Sequence, residues 1–145
     1  SIATGIALAQ KINGWNNKVY CMISDGELNE GSTWEPIMFA QTHKINNLIV
    51  IIDCNKMQAS GWTKDAIDLR ELHNIWKSFN WNVIEIDGHN LDEIYHAISN
   101  INSDKPTVVI ARTIKGKGFS FIENNPECHS MIPSDEQYKK SKEEL

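Results

Sequence analysis

Asp25 and Asn55 are the residues of this chain whose types and placement could do chemistry. Asp25 follows the apolar run VYCMI (19 to 23), and Asn55 follows a second run, LIVII (48 to 52), 30 residues further on. Each offers a side-chain oxygen just past an apolar segment. A hard divalent cation such as magnesium takes only a few protein oxygens and completes its octahedron with water and substrate phosphates. Gly26 lets the backbone approach a phosphate closely, and a helix starting just beyond supplies N–H groups and the positive end of its dipole. The set reads as a metal–diphosphate site. It also reads as two ordinary turns, because Asp-Gly and Asn are common turn residues, and the pattern alone leaves both readings open.

Better-known loops do not fit the same residues. An EF-hand beginning at Asp25 needs Gly at its sixth position and Glu at its twelfth, where the chain has Glu30 and Pro36. No G-x-x-x-x-G-K-[ST] loop occurs. The glycines of KGKGFS (115 to 120) lack the third glycine of the dinucleotide fingerprint and precede no obvious helix.

The elements that must position Asp25 and Asn55 alternate along the chain. Residues 1 to 12 have helical spacing, with Ser1 as the cap. VYCMI reads as a strand buried on both faces, Ser32 to Lys44 as a helix whose first turn suits Gly31, Ser32 and Pro36, and LIVII as a second buried strand. Further on, 66 to 79 reads as helix, 81 to 86 as strand, 91 to 101 as helix and 107 to 111 as strand. Alternation of this kind predicts an α/β fold, a parallel sheet with helices on both faces. Ligands of such sheets bind beyond the carboxyl ends of the strands, which is where Asp25 and Asn55 fall.

Composition narrows the partners. The 145 residues carry 14 Lys and Arg against 19 Asp and Glu, a net charge of −5, and no basic cluster, which argues against nucleic acid. Cys21, Cys54 and Cys128 form no C-x-x-C pair, as expected of reduced thiols rather than a disulfide framework or a zinc site. No secretion signal or membrane-length apolar run is evident, so the expected location is cytoplasmic.

In order, the segments SDG (24 to 26), EGSTWE (30 to 35), NLIVIIDCN (47 to 55), WNVIEIDGHN (81 to 90), KPTVVIARTIKGKGFSF (105 to 121) and ENNPECH (123 to 129) resemble the amino-terminal cofactor domain of transketolase, a thiamine diphosphate enzyme. The likeness spans nearly the whole chain. It implies a thiamine diphosphate-binding fold in which Asp25, the Asn55 side chain and the Met57 carbonyl ligate magnesium or calcium. It further implies that Gly26 and Glu27 touch the diphosphate through backbone groups, with Lys115 and His129 close to the diphosphate and substrate. Glu30 matches an acid that links two active sites through a carboxylate and water network at a dimer interface. Two positions depart from the pattern: Ser24 stands for the first glycine, and Ser130 for the glycine after the late histidine. His43, His73, His89 and His96 have no motif supporting catalysis.

Residues 1–145 would then be a diphosphate-binding domain, incomplete ahead of Ser1 and without the pyrimidine-binding domain that carries the family's catalytic glutamate. The expected activity is transfer of a two-carbon ketol unit between sugar phosphates, in a homodimer of a longer chain or a heterotetramer of split subunits. Other readings are a 1-deoxyxylulose-phosphate synthase-like or 2-oxo acid-processing thiamine diphosphate enzyme, or a cofactor-binding subunit without activity of its own.

Overall fold

The computed structural model describes residues 1–144. In chain order the elements are α1 (Ile2–Ile12), β1 (Val19–Ser24), a 3-10 turn (Gly26–Asn29), α2 (Gly31–Thr42), β2 (Leu48–Cys54), β3 (Met57–Gln58), β4 (Gly61–Trp62), α3 (Thr63–Ala66), α4 (Leu72–Ser78), β5 (Asn82–Asp87), α5 (Leu91–Ser99), β6 (Thr107–Arg112), a second 3-10 turn (Pro126–Ser130) and α6 (Asp135–Glu143). Among the described residues no helix is long and apolar enough to cross a membrane.

The two most continuous apolar runs form the middle of the sheet, as expected of strands covered on both sides. The strand order is β1-β2-β6-β5 and every pair is parallel. Because side chains alternate along a strand, β2 feeds two cores. Leu48, Val50, Ile52 and Cys54 join Ala7 of α1, Ile37 and Ala40 of α2 and Trp76 of α4 on one face, while Ile49 joins Ile86, Ala97 of α5 and Val109 on the other. Helices therefore cover both faces. Trp76 is fully buried and meets Trp81 edge-on at 4.8 Å, a geometry worth about 0.5–1.5 kcal/mol beyond its area. Trp34, Trp76 and Trp81 are packing residues.

The register brings the strand ends level: Ser24 lies opposite Asp53, and Cys54 opposite Arg112. Everything attached to those ends is gathered on one edge. The chain departs from the sequence reading in four places. VYCMI is not buried on both faces: β1 is an outer strand of the sheet, and Tyr20 and Met22 on one of its faces are 47% and 70% exposed. The single helix over 66–79 is instead α3 and α4, separated by extended backbone at Ile67 (φ −138°, ψ 113°). The Asp68 carboxylate pairs with Arg70 within this break, and Leu69 still reaches the core. The β3–β4 hairpin and α6 were not anticipated. α6 is closed by a capping box in which the Ser134 hydroxyl accepts from Gln137 N and the Gln137 side chain accepts from Ser134 N.

Candidate functional site

Asp25 stands where β1 ends and the first 3-10 turn begins. Its residue is 5% exposed, so the carboxylate is out of bulk water. Oδ2 accepts from Lys56 N at 2.6 Å, and Oδ1 has no hydrogen-bond partner. Burial pushes its pKa up; the Lys56 N–H pulls it back, and the Asp53 charge adds to the rise. A buried polar atom without a partner costs about 1–3 kcal/mol, and more when charged. A cation against Oδ1 would remove that cost.

Asn55 follows the last residue of β2 and is also buried, at 8% exposure. Its Oδ1 accepts from Met57 N at 2.9 Å and its Nδ2 donates to Asp53 Oδ2 at 3.2 Å. Between them Lys56 takes a left-handed conformation, φ 67°. That turn carries Lys56 N to Asp25, joining the β2–β3 connection to the β1 end. Met57 is buried at the start of β3. One unpartnered carboxylate oxygen and an amide oxygen with a spare lone pair form a donor set suited to a hard divalent cation. Among the described residues no group of three His, Cys, Asp or Glu side chains could hold a metal ion, so a cation here would also need carbonyl oxygens.

Gly26 is required by close approach. A Cβ there would lie 2.8 Å from Gln58 Cβ of β3. The turn it begins is closed reciprocally: Ser24 N donates to Glu27 Oε2 at 2.8 Å and Glu27 N donates to Ser24 Oγ at 3.2 Å. Ser24 thus replaces a glycine with a cap while remaining in extended β1. Both backbone groups of Glu27 have partners inside the turn, its carbonyl accepting from Thr33 Oγ1 and Glu30 N. Glu30 is exposed at the N-cap position of α2 and makes no side-chain cap bond.

Lys115 and His129 come together, with Lys115 Nζ 3.1 Å from His129 Nδ1. An ammonium only donates, so Nδ1 accepts and the neutral imidazole carries its proton on Nε2. The 3-10 turn bearing His129 packs on the β3–β4 hairpin, which begins at Met57. The edge formed by Asp25, Gly26, Asn55, Met57 and the His129 turn is thus contiguous through the hairpin. Three further side chains support this edge, and the sequence singled out none of them for the site. Asp53 Oδ2 accepts from Asn55 Nδ2, and the Thr113 hydroxyl in turn donates to Asp53 Oδ1. His89 Nε2 accepts from Ile114 N at 2.8 Å, next to Lys115. Their only signal was nearness to strand ends in a sheet whose order was not yet known.

Fold and edge place the chain among α/β proteins that take a ligand beyond the carboxyl ends of parallel strands. Residues 7–145 match the family model "Transketolase, thiamine diphosphate binding domain", and the chain belongs to that family. It is 41% identical over 147 residues to the 6-deoxy-6-sulfo-D-fructose transketolase subunit of Clostridium sp., covering 100% of this chain and 54% of that relative. It is likewise 41% identical over 145 residues to an apulose-4-phosphate transketolase subunit of Actinobacillus succinogenes, covering 99% of this chain and 52% of the relative. The crystal structure of Campylobacter jejuni transketolase superposes with a TM-score of 0.91 at 31% identity, over 97% of this chain and 23% of that one. The chain spans about half the length of the curated relatives named here.

Proposed function

We propose that this chain is the diphosphate-binding half of a transketolase-type enzyme, which moves a two-carbon ketol unit between sugar phosphates. The observation that carries the reading is the buried Asp25 carboxylate, with one oxygen unpartnered, beside Gly26 and Asn55 at the strand ends. Asp25, the Asn55 side chain and the Met57 carbonyl would hold magnesium or calcium. Gly26 would admit the diphosphate, with Glu27 closing the turn beneath it. Thiamine diphosphate, when bound, supplies the electron sink that lets the carbon–carbon bond beside a ketose carbonyl break and re-form.

This chain's residues bind and orient. Lys115 would face the diphosphate charge and hold His129 Nδ1 as an acceptor. His129 Nε2–H would then be available to donate to a substrate oxygen. Glu30, exposed at the start of α2, would lie at a subunit boundary and link two sites. The partner is a pyrimidine-binding domain carrying the activating glutamate, either on a longer chain that forms a homodimer or on a second subunit of a heterotetramer. Two relatives that this chain matches along its length are named as transketolase subunits, which supports the second arrangement. The cytoplasm is the proposed location.

The test is calorimetry of thiamine diphosphate and magnesium on wild type and Asp25→Ala, followed by ketose and aldose phosphate assay with and without the pyrimidine-domain partner. Binding should disappear in the variant, and turnover should require the partner. Retained binding in Asp25→Ala would defeat the metal assignment, and full turnover by these residues alone would defeat the split site.

A further inference from the structure

We propose that Asp53 and Thr113 are a positioning pair that locks the Asn55 amide with its oxygen available to the cation. The inference rests on the metal–diphosphate reading above. Asp53 is the penultimate residue of β2, and it touches the ends of three strands. Its backbone carbonyl accepts from Asp25 N at 3.1 Å. Its Oδ2 accepts from Asn55 Nδ2 at 3.2 Å, and its Oδ1 accepts from the Thr113 hydroxyl just past β6.

The chemistry of these groups fixes their directions. An ionised carboxylate only accepts, so the Asn55 nitrogen must face Asp53. Met57 N only donates, so the Asn55 oxygen must face it. A flipped amide would set oxygen against carboxylate and NH2 against N–H, losing both bonds at once. It would also offer a donor to the cation. Without Asp53 only the Met57 bond opposes that flip.

Thr113 is itself held. Its N–H donates to Cys54 O at 3.3 Å, and its methyl fills the space over Gly88, where a Cβ would lie 2.4 Å from Thr113 Cγ2. The hydroxyl is thereby kept on Asp53, and the carboxylate has one donor on each oxygen. Ligand orientation by outer partners of this kind is a general feature of metal sites, and removing such a partner costs about 10–100-fold in metal affinity.

Asp53 also adds a negative charge near Asp25, so orientation must be separated from charge. Asp53→Asn does this. Its oxygen can accept from Asn55 Nδ2 and its NH2 can donate to Thr113 Oγ1, which rotates to accept, so the lock survives while the charge is lost. The experiment is a Mn2+ titration of the full-length protein with its partner and saturating thiamine diphosphate, with free Mn2+ read by electron paramagnetic resonance and thermal stability recorded alongside. Asp53→Ala should weaken Mn2+ binding about 10-fold or more, Thr113→Val several-fold, and Asp53→Asn by no more than about threefold.

Wild-type affinity in Asp53→Ala overturns the inference, as does Asp53→Asn binding as weakly as Asp53→Ala. If Asp53→Ala does not fold, unchanged affinity in Thr113→Val overturns it. Asp25→Ala separates the levels. A wild type without Mn2+ binding, or an Asp25→Ala variant that binds normally, defeats the site reading and this inference with it. Loss in Asp25→Ala with no change in the Asp53 and Thr113 variants defeats this inference alone.

Discussion

Replacing Asp25 with Asn should stabilise the metal-free protein and abolish metal binding. Asp25 is 5% exposed, and Oδ1 has no partner. Asparagine keeps an oxygen to accept from Lys56 N and leaves a neutral NH2 where the unpaired charged oxygen was. A neutral orphan costs about 1–3 kcal/mol and a charged one more, so the gain is on the order of 1 kcal/mol at neutral pH. For a chain of this length that is about 3 °C in Tm. The pH dependence has a definite sign. Burial, the largest cause, raises the folded pKa of Asp25 above its ordinary value of 3.8. The folded state therefore holds that proton more tightly than the unfolded one. The group's contribution is fully present below 3.8 and is lost as pH rises through the raised folded value. The variant's advantage should accordingly vanish near pH 3.5 and grow toward neutrality. Magnesium with thiamine diphosphate should reverse the order, since ligand at about 100 times its Kd adds about 2.7 kcal/mol to wild type and nothing to the variant. Thermal melts followed by circular dichroism, in EDTA and in cofactor, across pH 3.5–7.5, read all three effects. A variant less stable than wild type in EDTA at pH 7, or an advantage independent of pH, would show that the Asp25 charge is already compensated.

Gly26→Ala puts a methyl 2.8 Å from Gln58 Cβ, so the hairpin must shift, and thiamine diphosphate affinity measured by calorimetry should fall about tenfold or more. Trp76→Ala empties the largest fully buried side chain of the core; urea denaturation should show a loss of about 3–5 kcal/mol. Lys115→Met removes a half-exposed ammonium without opening the core. Its thermal midpoint should stay within about 2 °C, consistent with a surface change of about 0.5 kcal/mol, while cofactor affinity falls several-fold.

The sheet was legible because LIVII and TVVIA are short, β-branched and apolar without alternation, as strands covered on both faces are. The helix over 66–79 was misread for an instructive reason. Leu69, Leu72, Trp76 and Phe79 do share one core, but Leu69 reaches it from extended chain, which spacing cannot distinguish from a helical turn. α6 has a Ser134–Gln137 capping box that was visible in the sequence. Without a buried residue the helix has little apolar periodicity to draw notice. The two-residue strands Met57–Gln58 and Gly61–Trp62 are too short for any period.

In the site, Asp25 and Asn55 could be singled out because each ends its own apolar run, a local feature. The Thr113 bond to Asp53 spans 60 residues and exists only because β6 inserts beside β2, which no local pattern records. His89 was set aside as a histidine without a catalytic motif. Its part is that of an acceptor for a backbone N–H, a use that leaves no motif.

The strand order has a consequence for the time course of folding. Among the described residues β6 is the last strand, yet it lies between β2 and β5, and β5 has no other partner in this sheet. During synthesis, β1, β2 and β5 all emerge before the strand that joins β5 to β2. Until Thr107–Arg112 arrives, the Leu48–Cys54 ladder has one open edge rich in β-branched residues, the kind of edge that pairs with other chains. Closing such a long loop makes insertion of β6 a slow step. The same insertion delivers Thr113 to Asp53, so the interval of greatest exposure to aggregation ends in the event that completes the edge bearing Asp25 and Asn55.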